Sequence, residues 1–183
     1  MVGRVTMAEM AKGVPHVPEG PHKAARPAHF ANRNAKSFGI AIDRSGAVHY
    51  KGPDLFGDHI IALLGYDVPD SYLAELAADG ISYVVAESAN FDVEELLDVV
   101  NRELGIERIV LEGGAATNGA LLASGLVDEL NFVVAPALEA RSGSDRVVEF
   151  GSDGLAGKVE LSLIECRQLG HGAVNLRYAA AKP

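Results

Sequence analysis

Apolar and polar positions along this chain fall into two rhythms. Residues 37–43 (Ser-Phe-Gly-Ile-Ala-Ile-Asp), 59–64 and 81–85 are short apolar runs bounded by turn residues, which predicts strands. Tyr72, Leu73 and Leu76, and then Val93, Leu96, Leu97 and Val100, recur at helical spacing. Pro69 opens the first of these helices and Gly80 stops it; Asp92 caps the second and Gly105 ends it. Arg44-Ser45-Gly46 predicts a turn, after which residues 47–50 pair back as a strand. Near the start, residues 3–13 predict a short helix in which Thr6 and Glu9 form a capping box and Gly13 is the terminator.

The alternation of strand and helix from residue 58 to 122 predicts parallel strands joined by right-handed crossovers, with helices on both faces. The tail differs. Residues 129–135, 158–167 and 173–180 are strand runs without intervening helices, so they add antiparallel strands. Residues 14–36, with prolines at 15, 18, 21 and 27, have no period and predict an irregular arm, the most mobile part of the chain. No linker separates two domains, so residues 1–183 are expected to form one α/β domain.

Composition narrows the partners. A hydrophobic content of 48% over 183 residues allows a sizeable core. With 16 basic against 25 acidic residues, the formal net charge of -9 opposes nonspecific attraction to nucleic acid or anionic membranes. Any anionic ligand must be held by local donors. Cys166 is the single cysteine, which excludes an intrachain disulfide or a cysteine-based metal site; its apolar surroundings predict an inert strand residue. No apolar run reaches membrane-spanning length and the opening lacks signal-peptide features, so the expected compartment is the cytoplasm.

Candidate chemistry concentrates at residues 109–122, where an apolar run breaks at Gly113-Gly114 and resumes at helical spacing. Strand, tight turn and helix in that order let backbone amides approach a phosphate, although paired glycines also serve as plain turn chemistry. Glu112 stands at the carboxyl end of the run, where open α/β sheets place ligands. His16, His22 and His29 share the proline-rich arm, but their intervals fit no zinc motif and no metal is expected.

The ordered set Glu112-Gly113-Gly114, Asn118-Gly119, residues 125–130 (Gly-Leu-Val-Asp-Glu-Leu) and Ala135-Pro136 resembles the pyrimidine reductase family of riboflavin biosynthesis. Gly3-Arg4-Val5-Thr6 resembles the Gly-Arg-x-Thr turn of the same family. The resemblance implies a dihydrofolate-reductase-like three-layer α/β fold with a mixed, mainly parallel sheet and antiparallel C-terminal strands. It implies NADPH as cofactor, held by Gly3, Arg4 and Thr6 on one side and by Gly113, Gly114 and Ala115 on the other. Arg4 would face the adenosine 2′-phosphate, with Arg44 and Ser45 as weaker phosphate-clamp candidates. The implied reaction is NADPH-dependent reduction of a phosphoribosylamino-pyrimidine, 5-amino-6-(5-phosphoribosylamino)uracil or its diamino analogue, to the ribitylamino compound. Glu112 would be the catalytic and substrate-contacting carboxylate, with Asn118 as a second substrate contact that equally suits local backbone. A cytoplasmic homodimer is implied as well. Nothing here matches the family's opening strand and Ser-x-Asp-Gly-like segment, so a shortened chain is expected. Its alternative functions are an NADPH-binding relative, or a fragment, without catalysis.

Overall fold

The computed structural model describes residues 1–18, 24–138, 143 and 146–181; His22 therefore lies outside the described residues. The chain divides into two compact units, Met1–Gly113 and Gly114–Pro183.

The first unit is built on a sheet in the order β1 (Val2–Gly3), β3 (Phe38–Asp43), β5 (Asp58–Leu64), β6 (Ser82–Val85) and β2 (Ala28–His29). The first four are parallel, β2 runs antiparallel against β6, and β4 (Asp54–Leu55) folds back on β5. Alternate side chains of β5 serve opposite faces, as the pleat requires. Ile60, Ala62 and Leu64 pack with Tyr72, Leu73 and Leu76 of α2 (Asp70–Ala78), whereas Ile61 and Leu63 pack with Leu96 and Val100 of α3 (Val93–Leu104). Helices thus cover both faces, the three-layer arrangement that the strand and helix alternation predicts. Leu73 and Val100 are fully enclosed; each such side chain contributes roughly 1.5–3 kcal/mol by leaving water. Met7 and Ala11 of α1 (Arg4–Ala11) complete the core with Val2, Ala41 and Val48.

Several expectations are corrected. Residues 47–50 form no strand: Val48 is buried by turning inward, its amide donating to the buried carboxylate of Asp43 at 2.8 Å. The capping box is absent, because α1 starts at Arg4 and places Thr6 inside the first turn, leaving Gly3 as an N-cap without a side-chain bond. Lys12, in the left-handed region, ends that helix in place of Gly13. Residues 109–112 form no strand either; Gly113 alone bridges Val2, because β1 is only two residues long. The arm is irregular where described, yet it supplies β2 and is anchored repeatedly. Arg26 pairs with Asp70 and donates to the carbonyls of Tyr66 and Val68, the Ala31 amide donates to Ser82 Oγ, and Arg33 pairs with Glu103. Its prolines lack N–H groups but keep their carbonyls, and that of Pro27 accepts from the Val85 amide at 2.7 Å.

The second unit comprises α4 (Ala115–Ala123) and an antiparallel sheet in which β9 (Val174–Ala180) lies between β7 (Glu129–Val134) and β8 (Leu161–Gln168). Every residue of β8 is exposed. Cys166 lies in this strand, as its neighbours predict, and is an exposed free thiol. Among the described residues no helix is long and apolar enough to cross a membrane.

Candidate functional site

The parallel ladder sets the position of the site. From β1 the chain steps through β3, β5 and β6 in one direction, then returns after α3 to the opposite edge of β1, where Gly113 bridges Val2 in parallel. The Gly3 amide donates to the Gly113 carbonyl at 3.3 Å and the Glu112 amide to the Met1 carbonyl at 3.0 Å. A reversal of strand order opens a crevice beyond the carboxyl ends of the two flanking segments, the usual ligand position in open α/β sheets. Gly3 and Gly113 flank that reversal. Thr6 covers Gly113, its Cγ2 lying 3.4 Å from where a Cβ would project.

Helix electrostatics distinguish the two candidate phosphate-binding turns from the other helices. α1 and α4 begin without a side-chain cap and without an acidic residue in the first turn. By contrast, α2 carries Asp70 there, and α3 carries Glu94 and Glu95 together with the Asp92 cap. Free N-terminal amides with no carboxylate beside them keep the positive end of the helix dipole available to an anion. Gly114 reaches the start of α4 with φ 79°, a conformation that disfavours any side chain.

The remaining predicted residues are placed as follows. Arg4, the first residue of α1, is exposed. Arg44 follows the carboxyl end of β3 and is exposed, its guanidinium 5.9 Å from the Phe91 ring and 3.4 Å from the Ala89 carbonyl. Gly3 and Ile42 are register partners in parallel strands, so Arg4 and Arg44 both follow the carboxyl ends of neighbouring strands. Ser45 turns its hydroxyl back to Asp43 at 3.3 Å. Glu112 is exposed, one residue before the bridge. In the second unit Ala115 opens α4 and its carbonyl accepts from the Glu149 amide, while Asn118 Nδ2 donates to the Val147 carbonyl at 2.8 Å. Asn118 Oδ1 is enclosed without a partner. Gly119 is small because the Glu149 carbonyl occupies the place of a Cβ, a packing reason for this part of the motif.

A cleft of about 430 Å³, lined in part by Glu9, Lys12, Lys51, Asp54 and Phe56, lies elsewhere. It adjoins the end of α1 and the start of β5, at the amino-terminal ends of the strands, and contains none of the predicted residues. The residues that sequence reasoning passed over are Ala89 and Phe91, which hold Arg44. They carry no motif because one acts through its carbonyl and the other through its ring face.

The family described as RibD C-terminal domain matches residues 42–175. This chain belongs to that family. It is 33% identical over 107 residues to the 2,5-diamino-6-ribosylamino-4(3H)-pyrimidinone 5′-phosphate reductase of Methanothermobacter thermautotrophicus, a stretch covering 58% of this chain and 49% of the relative. The RibD-family chain thus matches about half the length of that curated relative. A pyrimidine reductase-like protein from Corynebacterium diphtheriae has a similar structure, with a TM-score of 0.66 at 20% identity, covering 100% of this chain and 75% of that one. Acinetobacter baumannii RibD superposes with a TM-score of 0.58 at 22% identity, over 78% of this chain and 37% of its own. These two likenesses support the fold.

Proposed function

We propose that this chain is an NADPH-dependent pyrimidine reductase of riboflavin biosynthesis, acting as one domain over residues 1–183. Its substrate is 5-amino-6-(5-phosphoribosylamino)uracil or the 2,5-diamino analogue, reduced to the ribitylamino compound. The observation that carries this reading is the family match over residues 42–175, which includes the Glu112-Gly113-Gly114 turn beside β1.

The residues suit the cofactor. The free amides at the start of α1, with Gly3 and Thr6, receive phosphate oxygens, as do those of Gly113, Gly114 and Ala115. Arg4 pairs the 2′-phosphate through its planar fork, and Arg44 with Ser45 forms a second clamp. These local donors let a chain of net charge -9 bind a polyanion. When bound, NADPH supplies the hydride. The protein's part is to orient the sugar carbon, exclude water and manage a proton. Glu112 takes the proton-handling and orienting role, with Asn118 as the second substrate-contact candidate. The protein works in the cytoplasm as a homodimer.

Titration of the full chain with NADPH and NADH tests the cofactor assignment. Saturable binding with NADPH preferred is expected, and binding of neither nucleotide overturns it.

A further inference from the structure

Away from the nucleotide edge, the first unit brings together three side chains from separate segments. His16, His49 and Glu75 each offer one ligand atom, and these atoms lie within 4.8 Å of one another. His16 Nε2 is 2.9 Å from Glu75 Oε2, and the two imidazole centroids are 4.7 Å apart. The approach is built into the backbone. Gly13 presses so closely on the His49 carbonyl that a Cβ there would clash, and this brings the segment after α1 over His49.

The hydrogen bonding is informative. His16 Nδ1 lies 2.9 Å from the Val14 carbonyl. A carbonyl only accepts, so Nδ1 carries the ring proton and the neutral ring points its Nε2 lone pair at the Glu75 carboxylate. Two acceptors at that distance need a cation between them, either a proton or a metal ion. An imidazole held at Nδ1 by a backbone carbonyl, with Nε2 free to ligate, is the usual outer arrangement of a metal-bound histidine. Independently, His49 Nδ1 is enclosed with no hydrogen-bond partner.

We propose that His16, His49 and Glu75 bind a divalent cation of the zinc class. Two imidazoles and a carboxylate form a ligand set of the type that zinc accepts, with solvent completing the fourth position beside the half-exposed His16. Ligand bonds of about 2.0–2.2 Å place tetrahedral ligand atoms roughly 3.3–3.6 Å apart, so small side-chain rotations close the site. Glu75 and nearby Asp79 make the surroundings negative, which favours a cation at the site. Spacing along the sequence conceals the site, because each ligand comes from a different segment and His29 of the same arm is not among them.

The test is calorimetric and thermal titration of the untagged, chelator-treated full chain with zinc ions alone. One ion per chain and a higher Tm are expected, with both effects lost in His16→Ala and in Glu75→Gln. These partly exposed positions leave folding intact, and His29→Ala should bind as the native chain does. Cobalt(II) should give the visible bands of a tetrahedral nitrogen and oxygen site. Absence of binding, or binding unchanged in His16→Ala, overturns the proposal.

Discussion

Arg4 shows how little a single residue reveals without its setting. An exposed arginine early in a chain is ordinarily a solvated charge; here it begins an uncapped helix at the edge where strand order reverses. Under the proposed function, Arg4→Ala should weaken NADPH binding by roughly tenfold or more, the loss of one or two charge-assisted bonds, while leaving NADH unaffected. Equal effects on the two nucleotides would remove the 2′-phosphate role. His59 offers a separate test. It is buried, 2.8 Å from Ser82 Oγ, and burial pushes its pKa below the ordinary value, with Asp54 partly opposing. The folded state therefore favours the neutral ring. Its contribution to stability is complete above the unfolded value of about 6.5 and is lost as pH falls through the lower folded value. The urea midpoint should drop over that acidic interval, and drop less in His59→Gln; identical pH profiles would contradict this. His16 has the opposite sign, since its raised pKa gives stability that is lost as pH rises through the folded value.

Element by element, the sequence was legible where one local rule decides. Asp92 caps α3 by accepting from the Glu94 amide at 2.9 Å, and Gly105 ends that helix in the left-handed region, both as the pattern predicts. Asp92→Ala should cost about 1 kcal/mol, seen as a lower denaturation midpoint with unchanged m-value; no change would mean the cap is dispensable. Strands β3, β5 and β6 and helices α2 and α3 were equally readable, since each buries a periodic apolar face. What failed depended on distant partners. Residues 109–112 have strand composition, but a ladder needs a neighbour, and β1 supplies two residues. Thr6 and Glu9 have capping spacing, but Gly3 already begins the helix. Of the candidate site, the glycine turn and Gly3-Arg4 were visible as motifs. The Phe91 and Ala89 supports of Arg44, and the His16–His49–Glu75 cluster, are products of folding alone.

For the whole molecule, charge and family membership combine into one functional account. A net charge of -9 repels anions at long range, so binding a phosphorylated pyrimidine and a dinucleotide together requires donors concentrated at a few turns. Under the proposed function those donors are the uncapped starts of α1 and α4 together with Arg4 and Arg44. The most direct test is NADPH oxidation by the full chain, with 5-amino-6-(5-phosphoribosylamino)uracil and its diamino analogue supplied separately and products identified by mass. The account predicts that at least one pyrimidine gains two hydrogens per NADPH consumed, with no consumption when substrate is omitted. NADPH binding without reduction of either pyrimidine would contradict it.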